Sequence, residues 1–228
     1  MNDPYNPLAK VNLARSIELE LLLRPPIALA ELGEFEGAGI YVIYYAGDFP
    51  AYSPIRFHSE ASHAIPIYVG KAIPKGGRKG GLTKDSSRGT AIRDRLRQHA
   101  VSIDEAQNLA LSDFLVRHLT VDDIWIPLGE NMLIESYKPV WNRAIDGFGN
   151  KDPGNRRKTQ YRSPWDVIHP GRKFAEKLAQ SPVDASFLER RTADYLAGRR
   201  MQALPKTLKD QLASEMSEAQ DTADGTEL

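Results

Sequence analysis

Gly37-Ala38-Gly39-Ile40-Tyr41-Val42-Ile43-Tyr44-Tyr45 is the stretch that decides the fold. Glycines open it, and a run of β-branched and aromatic residues follows, which is the composition of a strand. Pro66-Ile67-Tyr68-Val69-Gly70 has the same character, and Asp113 to Val121 supplies a third strand. Around these pieces the apolar spacing is helical. Val11 to Leu23 ends before Arg24-Pro25-Pro26, a firm stop. Thr90 to Val101 places Ile92 and Leu96 on one stripe, and Pro127 sits at the first turn of a helix that ends before Pro139. Lys173 to Leu178 and Ala185 to Ala197 are also helical in spacing. Gly47 to Ala64 is irregular, Gly147 to Ser163 is polar and loop-like, and the last twenty or so residues read as frayed. The expectation is an α+β chain, with a small central antiparallel or mixed sheet of about three strands flanked by helices.

With 228 residues the chain is long enough to bury a real core, and it contains no cysteine. Disulfides, thiolate zinc sites and cysteine nucleophiles are therefore excluded. The longest unbroken apolar run, Ile40 to Ala46, falls far short of the roughly 20 residues of a membrane helix. Leu21 to Leu23 has charged neighbours and is neither anchor nor signal peptide. A cytoplasmic protein with no membrane partner is the expectation. The chain reads as an N-terminal helical arm (1–34), a core (35–150) with insertions at 47–65 and 71–90, a helical extension (151–205) and a flexible acidic tail (206–228).

Lysine and arginine balance aspartate and glutamate at 30 each, so distribution matters more than the sum. Between Lys71 and Ala100 nine basic residues face only Asp85 and Asp94, a local balance of +7. Lys151 to Lys177 is a second basic block, whereas the chain after Met201 is acidic. Two such blocks in a neutral protein suggest a side that faces a polyanion, although a solvated charged loop has the same composition. Gly76, Gly77, Gly80 and Gly81 lie in the first block and would let the backbone approach a phosphate closely. No Walker loop is present.

Three polar placements stand out. Glu130 lies three, four and seven residues before Leu133, Ile134 and Tyr137, on the apolar face of its helix. A carboxylate there needs compensation, which a Mg²⁺ ion supplies by taking oxygen ligands while keeping waters. A negative charge bordering the helix start is the plainer reading. Arg95 and His99 share a helix face, a poor structural pair but a good one for holding a phosphate from two sides. A surface histidine in a basic helix has the same signature. Tyr41 and Tyr68 sit centrally in the first two strands. They reach one site if those strands pair, and are ordinary packing residues if not.

Taken in order, these residues resemble the GIY-YIG nuclease pattern. Gly39-Ile40-Tyr41 is similar to the first motif and Tyr68-Val69-Gly70 to the second, with valine for isoleucine. Arg95 and His99 match the family's helix, Glu130 its metal-binding glutamate, and Asn142, after Lys138-Pro139-Val140-Trp141, its closing asparagine. The insertion from Gly47 to Ala64 sets the tyrosine motifs further apart than in compact repair and homing members. That insertion, the long basic loop, Asp146 to Asn150 and Trp165 to Arg172 resemble the type II restriction enzymes that cut CCGCGG.

The resemblance implies hydrolysis of double-stranded DNA by an in-line water, with one Mg²⁺ on Glu130 and Mn²⁺ as a possible substitute. Arg95 and His99 would stabilise charge on the phosphate. Tyr41 would position the water and act as general base if nearby cations lower its pKa, and Tyr68 would hydrogen-bond phosphate or water. Asn142 would orient the site. Lys71, Arg78, Lys79, Arg88, Arg156, Arg157 and Arg162 would contact DNA, the arginines being natural readers of guanine edges. A palindromic target implies a homodimer, and a restriction enzyme implies a cognate methyltransferase. A repair or homing nuclease and a non-catalytic nucleic-acid-binding protein on the same fold are the competing readings.

Overall fold

The strand β2 (Gly39–Tyr45) is buried along its whole length, which is why its sequence is an unbroken apolar run rather than an alternating one. It lies inside a four-stranded sheet of order β1-β4-β2-β3, formed with β1 (Ile27–Ala28), β3 (Tyr68–Ala72) and β4 (Phe114–Thr120). Every pairing is antiparallel. The computed structural model describes residues 6, 8–58, 64–73, 89–154 and 159–224, with side chains through residue 215. The chain divides into two units that interleave along the sequence. The first takes Met1–Gly47, Ile55–Ala100 and Leu111–Pro139; the second takes Asp48–Pro54, Val101–Ala110 and Val140–Leu228.

The sheet belongs to the first unit. Ile40, Val42 and Tyr44 point to one face and join Val69, Leu119, Leu21 of α1 (Lys10–Leu23) and Ile126 and Leu133 of α3 (Ile126–Tyr137) in a single cluster. The N-terminal helix is thus part of this core. Gly129 lets α3 approach closely, since a Cβ there would touch Ile40 of β2 and Ile17 of α1. Tyr41, Ile43 and Tyr45 point to the opposite face, where Tyr41 meets α2 (Ala91–Asp104) through His99.

The second unit is built around Trp141 of α4 (Val140–Arg143), whose ring contacts Tyr52, Phe148, Trp165 and His169. Ser163 caps α5 (Pro164–Ile168) by accepting from the Asp166 N–H. Asp166 in turn holds the buried Arg172 at 2.6 Å. Arg172 also donates to the carbonyls of Gly147, Phe148 and Asn150, and its guanidinium stacks over Trp165 and Phe174. A buried charge is tolerable only with this degree of satisfaction. The unit is completed by α6 (Ala185–Leu196) and α7 (Lys206–Asp224).

The α+β architecture agrees with the sequence reading, with three differences. The sheet has four strands rather than about three, because Ile27 and Ala28 pair with Val116 and Leu115. Two residues after a proline pair are too few to show a period. Lys173 to Leu178 contains only a 3₁₀ turn, Ala175–Lys177. The stretch expected to be a flexible acidic tail forms α7, because Leu204, Leu208 and Leu212 recur every fourth residue and are buried. Gln211 fixes that helix by bonding both the N–H and the carbonyl of Tyr161. No described helix is long and apolar enough to cross a membrane.

Candidate active site

Antiparallel pairing of β2 with β3 sets Tyr41 opposite Gly70 and Ile43 opposite Tyr68. Tyr41 and Tyr68 are therefore diagonal neighbours on one sheet face, with ring centroids 6.3 Å apart. Glycine at 70 is what makes room: any Cβ there would collide with the hydroxyl and ring of Tyr41. The Val-Gly of the second tyrosine motif is thus a packing requirement of the first.

Across that face lies α2. His99 is buried, its Nε2 is 2.7 Å from the Tyr41 hydroxyl, and its ring lies edge-on to Tyr68 at 5.2 Å. Arg95, one turn earlier, is within hydrogen-bonding reach of both phenols. A guanidinium can only donate, so both phenol oxygens accept from Arg95. The expectation that Tyr41, Tyr68, Arg95 and His99 share one site is met in geometry.

Burial holds the Tyr41 pKa well above the usual phenol range, and the neighbouring Tyr68 adds to this, against the pull of Arg95. Tyr68 is also raised, by burial first; Arg95 opposes the shift and Glu130 adds to it. The condition under which Tyr41 would be a base in its own right, a pKa lowered by nearby cations, is therefore not met in the protein alone. Desolvation outweighs the single guanidinium.

Glu130 of α3 is on the apolar side of its helix, as its spacing requires, and its side chain keeps only 15% of its exposure. The compensating partner is the Lys71 ammonium of β3, 2.7 Å away. Lys71 was expected at a DNA phosphate, and nothing in its sequence context pointed to Glu130; the alternation of β3 places it on the face opposite Gly70 and Tyr68, towards α3. Among the described residues no group of three or more His, Asp or Glu is arranged to hold a metal ion. What the site offers is one half-buried carboxylate. That set fits Mg²⁺, which takes one or two carboxylates and completes its shell with waters and substrate phosphates.

Asn142 lies in the second unit, on α4 beside Trp141. Arg162 is also there, half-buried, and donates to the carbonyls of Ala175 and Glu176. Arg78, Lys79, Arg88, Arg156 and Arg157 fall outside the described residues. Sequence pattern alone singles out neither Tyr52 nor His169, although both are buried in the second unit and joined by a 2.6 Å hydrogen bond. The signal for them was faint: a tyrosine in an irregular insertion and a histidine before a proline.

Compared with models of known families, residues 33–196 match the one described as the Eco29kI GIY-YIG domain. No curated protein matches the chain. The match spans both tyrosine motifs, α2, Glu130, Asn142 and the Trp165 to Arg172 stretch. A restriction endonuclease family implies that DNA is bound. The chain belongs to the Eco29kI family of GIY-YIG nucleases.

Proposed function

We propose that this protein is a Mg²⁺-dependent type II restriction endonuclease that cuts both strands of CCGCGG as a homodimer. The observation that carries this reading is the convergence of Tyr41, Tyr68, Arg95 and His99 on one polar cluster, with Tyr41 and His99 buried and Tyr68 and Arg95 half-buried, and with Glu130 close enough to bear on Tyr68. A purely structural cluster would gain nothing from two neutral phenols beside a guanidinium and a carboxylate.

Glu130 would hold the Mg²⁺, or Mn²⁺ in its place, and the ion would supply charge neutralisation at the scissile phosphate. Lys71, 2.7 Å away, holds the carboxylate in place until then. Arg95 binds a non-bridging phosphate oxygen and favours the build-up of charge there. Tyr41 positions the attacking water. Because its pKa is raised, it takes the water proton only as it passes its own to His99 Nε2. The phenol thus relays the proton and never has to ionise alone. Tyr68 donates to the phosphate or the water, and the leaving 3′ oxygen departs opposite the entering one. Asn142 is assigned an orienting role on the strength of the motif.

A palindromic site read on both strands calls for two copies related by a two-fold axis. The same reading supplies a cytoplasmic setting and a cognate methyltransferase that shields the host's own sites. The basic segments around 78–88 and 156–162 supply the DNA contacts.

The test is cleavage of a plasmid carrying one CCGCGG site, with Mg²⁺ or with EDTA, by the protein and by Glu130→Ala. Cutting at that site, abolished by EDTA and reduced by about 10³-fold in the variant, is expected. Cutting at other sequences would sink the specificity, and metal-independent cutting would sink the role of Glu130.

A further inference from the structure

The insertion between the two tyrosine motifs carries Phe49 and Tyr52, and these side chains are in the second unit rather than on a loop surface. Tyr52 is fully buried. Its hydroxyl is 2.8 Å from Trp141 Nε1 and 2.6 Å from His169 Nε2, and His169 Nδ1 is 2.9 Å from Asn108 Oδ1. Asn108 closes the series by donating its amide to the carbonyl of Ile168.

The direction of every proton in this series follows from chemistry. An indole N–H only donates, so the Tyr52 oxygen accepts from Trp141 and its own proton goes to His169. Nε2 must then be the accepting nitrogen, Nδ1 carries the imidazole proton, and that proton goes to Asn108 Oδ1. Each buried polar group is satisfied in one sense only. Such a series fixes orientation more firmly than apolar packing, because turning any ring leaves two buried groups unpaired.

Trp141 is the residue being fixed, and it belongs to α4, a helix of only four residues, Val140–Arg143. A helix so short has no stability of its own and takes its direction from its anchors. The next residue in it is Asn142.

We propose that Tyr52 is a positioning residue for the nuclease reaction, acting through Trp141 to set the orientation of α4 and so of Asn142. This rests on the orienting role assigned to Asn142 above. It gives the insertion a function in catalysis that is separate from reading DNA bases.

The experiment uses the full chain with Mg²⁺ and a CCGCGG duplex under single-turnover conditions, for the parent, Tyr52→Phe, Asn142→Ala and the double variant. Tyr52→Phe is expected to cut about tenfold more slowly with duplex affinity in EDTA changed less than twofold. In the Asn142→Ala background the same substitution is expected to add nothing. An equal drop in both backgrounds, or no drop in the first, overturns the proposal. Asn142→Ala cutting like the parent overturns it together with the role of Asn142. A second readout needs no cleavage: the side-chain amide resonances of Asn142 in ¹⁵N-labelled protein. They are expected to shift in Tyr52→Phe, and unmoved resonances overturn the proposal whatever the enzyme cuts. Should Tyr52→Phe fail to fold, Asn108→Ala perturbs the series from its far end, with a smaller drop and the same dependence on Asn142.

Discussion

The two units each contain a buried tyrosine whose hydroxyl meets a histidine Nε2, at 2.7 Å for Tyr41 and His99 and at 2.6 Å for Tyr52 and His169. In isolation the pairs are indistinguishable. Their surroundings are not. Around Tyr41 are a guanidinium, a second phenol and, further off, a carboxylate. Around Tyr52 are the rings of Phe49 and Trp141, and the imidazole beyond is held at both nitrogens. Burial, with Arg172 nearby, pushes His169 down to about 3, so this imidazole stays neutral across the working range of any cell. On the proposed reading, the same hydrogen bond is a proton path beside Arg95 and Tyr68 and a brace among the rings around Trp141.

Replacing each tyrosine by phenylalanine is the severest trial of that contrast. Tyr41→Phe removes the relay and is expected to slow single-turnover cleavage by about 10³-fold, some two orders of magnitude more than the substitution in the other unit. Equal losses would collapse the distinction.

A pH titration of stability follows in size. His169 has a folded pKa of about 3, below the unfolded value of about 6.5. Between those limits the unfolded chain binds the extra proton, so its contribution to stability is complete above pH 6.5 and drains away as pH falls towards 3. The slope is about 1.4 kcal/mol per pH unit for this one group. Urea midpoints from pH 7 to 4 should therefore fall for the parent and be flatter for His169→Gln. Parallel curves would mean that the brace does not hold its imidazole neutral.

The smallest effect concerns space rather than protons. Gly70→Ala forces the Tyr41 ring aside and is expected to reduce cleavage by tens of fold, with duplex affinity in EDTA unchanged. Unaltered cleavage would show that the phenol position tolerates the shift, and the tightness argued for the first unit would be wrong.

Much of the first unit was legible because its determinants are local and periodic. The run at Ile40 to Tyr45 announces a strand buried on both faces, and Glu130 betrays itself by its offset from Leu133, Ile134 and Tyr137. What pairing adds is not local. That Lys71 meets Glu130, or that Gly70 lies under Tyr41, depends on register between segments that no window of sequence contains. In the second unit the spacing of α6 is legible, but the polar network around Trp141 is not, for the same reason. Arg172 read as one more cation of a basic block, yet it is buried on Asp166 and three carbonyls. The helix at Lys206 was masked by its acidic composition, which hid the recurrence of Leu208 and Leu212.

Interleaving has a cost in time. Tyr52 and His169 are 117 residues apart, and the second unit draws on 48–54 and 101–110 as well as on everything from Val140. At a synthesis rate of roughly 5–20 residues per second, Tyr52 leaves the ribosome on the order of ten seconds before its histidine. Late in that interval, once residue 120 has emerged, the nascent chain has the residues of all four strands and both motif tyrosines but not the brace. If α4 needs the brace to orient Asn142, the newborn nuclease is blunt until its last third arrives, a built-in delay before it can cut.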